Sequence, residues 1–209
     1  METRMTAEEL IARVKQGAAI RDCDLSGIDL SEEDLSGAVF EKVILKGARF
    51  VQTNLPRAVL KDTDFIHADL SLADLRGATF SGTILASANL TRAELGETRF
   101  NSCDFRGADF TEADCMGVDF SRATLQGAAF IRTDLSGANL RKQNLAGCKL
   151  ADADLSGSEC VQTDFTRADL TQANFTGADL TGAKLDGIRA QAATFTRARL
   201  NRPPAGKPS

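Results

Sequence analysis

Five cysteines, one histidine and a dense set of aspartates are the residues of this 209-residue chain best suited to chemistry. A thiolate nucleophile or a structural zinc would draw on Cys23, Cys103, Cys115, Cys148 and Cys160. Zinc sites are built from close pairs such as CxxC, and no two of these cysteines lie closer than twelve positions. Their spacing therefore reads as small apolar filler, the usual fate of free cysteine. His67 has no Cys or Ser–Asp arrangement nearby. Glu33 and Gln143 stand where compact residues are otherwise found and are expected to need a local adjustment. The glycines do not lead into a helix, as a phosphate-binding loop requires. These features point away from an enzyme, and no metal or cofactor is expected.

The positions of these residues follow one rule. From Leu25 to Leu200 every fifth residue is Leu or Phe, apart from Cys115, Cys160 and Ala190. That column of 36 positions holds 21 Leu and all 12 Phe of a chain with no Tyr or Trp. Two places earlier, 20 of the 36 residues are Ala, and most of the rest are compact. One place earlier, Asp or Asn fills 20, fifteen of them Asp. Two places later, Gly fills 14, twelve of which have numbers ending in 7. Such regularity assigns the aspartates to backbone bonding at turns and the cysteines to the inward columns. A period of five fits neither a helix nor a flat strand. It suits a chain that runs straight, turns a corner and repeats, with glycine at alternate corners suggesting two turn types, one needing positive φ.

Segments such as ADLRG (73–77), ADFTE (108–112), ANFTG (173–177) and ADLTG (178–182) carry a resemblance to the pentapeptide-repeat family, whose unit is A(D/N)LxG. The resemblance spans about 85% of the chain. It implies an all-β fold, a right-handed quadrilateral parallel β-helix (solenoid) of about nine four-sided coils. At ~4.8 Å per coil the rod would be roughly 43 Å long. It also implies two kinds of role. Some members bind DNA gyrase or topoisomerase IV by imitating duplex DNA and confer quinolone resistance. Other bacterial members accompany secretion or regulatory systems.

Stacked coils need ends. Residues 1–22 are expected to form an N-terminal capping helix and lead-in, with Thr6 and Glu9 as a capping box and a helix over residues 6–16. Residues 23–202 are the repeat, and 203–209 a flexible tail. No C-terminal helix is apparent, so the chain is expected to be a monomer, or a dimer through its C-terminal coil.

A net charge of −4 lacks the basic footprint of a nucleic-acid binder, and no apolar run reaches membrane-spanning length. The expected compartment is the cytoplasm. The partner is expected to be a protein, with no direct nucleic-acid binding and no membrane insertion. The four sides carry net charges of −1, −2, −5 and +3, the sides being those that contain Leu25, Leu30, Leu35 and Phe40. The leading expectation is a non-catalytic scaffold for protein–protein interaction. Its candidate partner surface is Val39, Ile44, Val59 and Ile84, apolar residues at outward positions. The runner-up is a topoisomerase-binding DNA mimic whose candidate acidic face is Glu33, Asp34, Glu94, Glu97 and Asp114.

Overall fold

The computed structural model describes residues 5–200. The expected tail and the end of the expected repeat, residues 201–209, lie outside the described residues. Helix α1 spans Ala7–Lys15. Thr6 caps it: the Thr6 Oγ1 accepts from the Glu9 N–H at 3.2 Å, and Glu9 Oε2 accepts from the Thr6 N–H at 3.0 Å. Glu8 and Glu9 in the first turn and Arg13 and Lys15 in the last suit the helix dipole. The helix lies against the first coil, burying Leu10 completely and resting Ile11 and Val14 on the core.

Five short strands follow on one side: β1 Ile20–Arg21, β2 Val39–Glu41, β3 Val59–Lys61, β4 Thr79–Ser81 and β5 Arg99–Asn101. They pair in parallel and in chain order, with Ile20, Phe40, Leu60, Phe80 and Phe100 in register. Single parallel bridges carry the same twenty-residue step along the other three sides and extend the strand side itself as far as Asp179↔Arg199. The chain is thus a right-handed quadrilateral parallel β-helix, the hand that parallel crossovers adopt.

The five-residue rule explains each bond. A central residue such as Leu45 donates its N–H to Asp64 O one coil on (2.7 Å), and its carbonyl accepts from Ala48 N–H to close the corner (3.0 Å). Central side chains from Leu25 to Leu180 point to the axis and are at most 4% exposed. Where a threonine occupies the small inward position, its hydroxyl bonds a central carbonyl one coil back, except at Thr63, which donates to the Thr83 hydroxyl (3.3 Å). Examples are Thr53 to Leu30 O (2.7 Å) and Thr163 to Leu140 O (2.7 Å). Among the described residues three phenylalanine pairs one coil apart stack, as in Phe110 on Phe130 at 4.9 Å and 8°, while Phe80 and Phe100 are tilted at 44°. The last coil is less covered: Leu185, Ala190 and Phe195 are half-buried and Leu200 is 51% exposed.

The expectation of two alternating turn types is wrong. Positive φ occurs at corner residues with numbers ending in 2 as well as in 7, from Asp22 (49°) and Leu72 (60°) to Gly137 (65°) and Arg197 (59°). Glycine lowers the strain at a corner without defining its type, because the stacked ladder holds the other residues in the left-handed region. Among the described residues the one corner that departs is Arg122, which has no positive φ although Ala123 N–H still reaches Phe120 O at 2.9 Å. A turn closed in that way is type I, with its central peptide inverted relative to type II. Accordingly, the Ser121–Arg122 peptide makes neither of its ladder bonds. The Ser102 and Arg122 amides are both unpartnered, whereas Lys42, Asp62 and Lys142 at the same corner bond the next coil at 2.8–2.9 Å.

Candidate interaction surface

The residues that could carry chemistry are occupied with the fold. Cys103, Cys115, Cys148 and Cys160 are buried, and burial pushes the thiols of Cys103 and Cys160 up to about 11 and about 12. Cys23 is half-buried and also raised by desolvation. The carboxylates bond the turn that follows them: Asp34 accepts from Ser36 N–H (3.0 Å) and Oγ (2.5 Å), and Asp114 from Met116 N–H (3.0 Å). These bonds hold Asp34 below the usual carboxylate range. His67 sits exposed at a corner with φ 58°. Among the described residues no group of three or more His, Cys, Asp or Glu could hold a metal ion.

The proposed acidic residues are partly united. Asp34, Glu94 and Asp114 fall in one column, with Glu33 half-buried beside Asp34 and Glu97 at the neighbouring corner. The column is Asp34, Asn54, Asp74, Glu94, Asp114, Asp134, Asp154 and Asn174, each bridged to the next. Sequence reasoning missed Asp74, Asp134 and Asp154, although a twenty-residue spacing would have found them. Arg76 neutralises part of the row, reaching Asp74 at 2.7 Å and Glu94 at 3.1 Å.

The apolar residues divide between two sides. Val39 and Val59 pair directly, Val59 being 40% exposed. Ile44 and Ile84 lie round the corner on the next side, separated by Asp64. The corner between them carries an ion-pair ladder in which Glu41 bridges Arg21 (2.9 Å) and Lys61 (3.0 Å).

A feature absent from the sequence reading lies farther along that side. An open groove of about 410 Å³ is walled by Ser102 and Arg122 at one corner and Arg106 and Gln126 at the next, over a floor of Asp104 and Thr124. It adjoins a break in the ladder. Between this coil and the following one, the amides of Arg122, Leu125, Gly127 and Asn144 are all unpartnered, while the same positions one coil on are bonded at 2.8–2.9 Å. Gln143 accounts for the break. It is 7% exposed in a column otherwise filled by Cys, Val, Thr and Ala, and its neighbour Ala123 is pushed to partial exposure.

Three comparisons bear on kinship. A profile described as pentapeptide repeats matches residues 18–55, 44–82, 88–127, 98–137, 133–172 and 173–202. No curated protein matches significantly. Among solved structures, HetL, a pentapeptide repeat protein involved in heterocyst differentiation regulation from the cyanobacterium Nostoc sp. strain PCC 7120, is 25% identical. It aligns over 93% of this chain and 97% of its own, with a TM-score of 0.41. Full-length QnrB1, a plasmid-mediated fluoroquinolone resistance protein, is 26% identical over 88% of this chain and 85% of its own, with a TM-score of 0.44. A pentapeptide repeat protein of the Arabidopsis thaliana thylakoid lumen is 36% identical over 49% and 68%, with a TM-score of 0.35. The profile's reach from residue 18 to residue 202, over coils with an unbroken five-residue rule, shows that this chain belongs to the pentapeptide repeat family.

Proposed function

We propose that this protein is a non-catalytic scaffold that binds another protein through the sides of its solenoid. One observation carries the reading. The interior is uniform from coil to coil, while the outward columns vary, so the information lies in rows of side chains on four straight sides. Rigid rows suit recognition because little ordering is left to do on binding. Five unpaired thiols, four of them buried, favour a reducing compartment such as the cytoplasm. Affinity capture from the native host with wild type and Val59→Glu tests the apolar pair. Loss of a captured partner supports it, and identical capture removes Val39 and Val59 from the interface.

A second reading, mimicry of DNA toward a type II topoisomerase, is favoured by the carboxylate row. Its members repeat every ~4.8 Å, against ~3.4 Å per phosphate along one DNA strand. A net charge of −4 and the pairing of Arg76 with the row weigh against it. Inhibition of gyrase supercoiling that fails in Asp114→Asn/Asp134→Asn would establish this reading; no inhibition at micromolar protein ends it.

A further inference from the structure

We propose that the groove between Ser102 and Gln126, with the ladder break beside it, docks an extended acidic segment of a partner protein. This rests on the scaffold reading and names where and what the scaffold binds. The first support is charge. Arg122 and Lys142 occupy the same corner on consecutive coils, about 4.8 Å apart, and neither forms an ion pair among the described residues. Elsewhere on this side a carboxylate meets a cation, as in Asp64 with Lys46 (3.2 Å), Asp104 with Arg106 (2.6 Å) and Asp164 with Lys184 (2.9 Å). Beside Arg122 and Lys142 the outward column instead holds Thr124 and Asn144, so two like charges stand together without a counterion. They sit at the edge of the one side whose net charge is +3.

The second support is the backbone. The break leaves donors at the Arg122, Leu125, Gly127 and Asn144 amides and acceptors at the Ala123 and Ala146 carbonyls. A phosphate only accepts hydrogen bonds and would meet the four amides but neither carbonyl. A peptide segment both donates and accepts. A long polyanion would also meet the side of charge −5 and a net negative rod. The chemistry thus favours a short stretch of peptide with carboxylates near Arg122 and Lys142.

The test uses the full chain labelled with ¹⁵N and two peptides, GESESG and its uncharged counterpart GQSQSG. The acidic peptide is expected to shift the amide signals of Arg122, Leu125, Gly127 and Lys142 saturably. The uncharged peptide, or the variant Arg122→Gln/Lys142→Gln, should bind about fivefold to tenfold more weakly. Lys42→Gln, at the same corner far from the groove, should change nothing. Shifts elsewhere, equal binding of both peptides, or equal binding by the double variant would overturn the proposal. So would displacement of the peptide by inorganic phosphate at matched charge, which would mark a plain anion site. Capture of one partner equally by wild type and the double variant would remove the groove and leave the scaffold reading standing.

Discussion

Replacing Gln143 with threonine should close the ladder break and stabilise the rod. The neighbouring coil shows the outcome: Thr163, one step on in the same column, bonds Leu140 O at 2.7 Å, and the coil junction beyond it is intact. A threonine at 143 would reach Phe120 O in the same way, adding about 1 kcal/mol. Re-forming the ladder bonds of Arg122, Leu125, Gly127 and Asn144 adds ~0.5–1.5 kcal/mol each, at the low end because this side faces solvent. Losing the glutamine stem removes about 0.8 kcal/mol per methylene from the core. The expected net gain is about 2 kcal/mol, or roughly 4–8 °C in Tm for a chain of this size. Both side chains are uncharged, so the change carries no electrostatic effect of net charge. Hydrogen exchange is the decisive assay. The four amides should exchange fast in the wild type and slow by roughly 30-fold in the variant. Lys142, whose amide already bonds Val161 O at 2.9 Å, should be protected in both. An unchanged or lowered Tm, or wild-type protection at Leu125 and Gly127 equal to that at Lys142, would refute the wedge.

Phe100→Ala should cost about 3–5 kcal/mol in urea titration, since its ring meets Phe80, Phe105 and Phe120 at 5.3, 4.8 and 5.6 Å. Leu125→Lys should abolish the folded circular-dichroism signal because Leu125 is 1% exposed. Gln126→Lys, exposed next to it, should leave that signal unchanged, and equal effects would contradict the register. Glu41 is depressed to about 2, first by the Arg21 hydrogen bond and then by Lys61. A depressed carboxylate stabilises above its unfolded pKa and loses that contribution as pH falls through its folded pKa. The stability gap between wild type and Glu41→Gln should therefore be full above pH 4.5 and shrink toward about pH 2. A maleimide should label Cys23 first, with Cys103, Cys115, Cys148 and Cys160 slow until the chain unfolds.

Much of the architecture is written in the chain because burial is periodic. Once Leu, Phe and Ala mark the inward columns, coil length, sides and stacking partners follow from counting, and the twelve phenylalanines land on the axis as their spacing requires. Thr6 and Glu9 likewise announce α1, since a capping box is a local device. Glycine misled about the corners, because its frequency reports where strain is relieved, while ladder bonding to the adjacent coils sets the turn itself. The surface was only partly legible. Counting by twenty would have completed the carboxylate row, but that Arg76 spans Asp74 and Glu94 depends on how a long side chain folds across the face. The groove could not be read at all. It needs an inverted peptide at Arg122, a glutamine too large for its column and two cations left without carboxylates, features one coil apart in the chain that become neighbours through stacking. The sequence alone determined the periodic interior, whose residues answer to one repeated packing problem. Only the tertiary structure decided where that repetition fails, because a failure is a mismatch between coils and exists in neither coil alone.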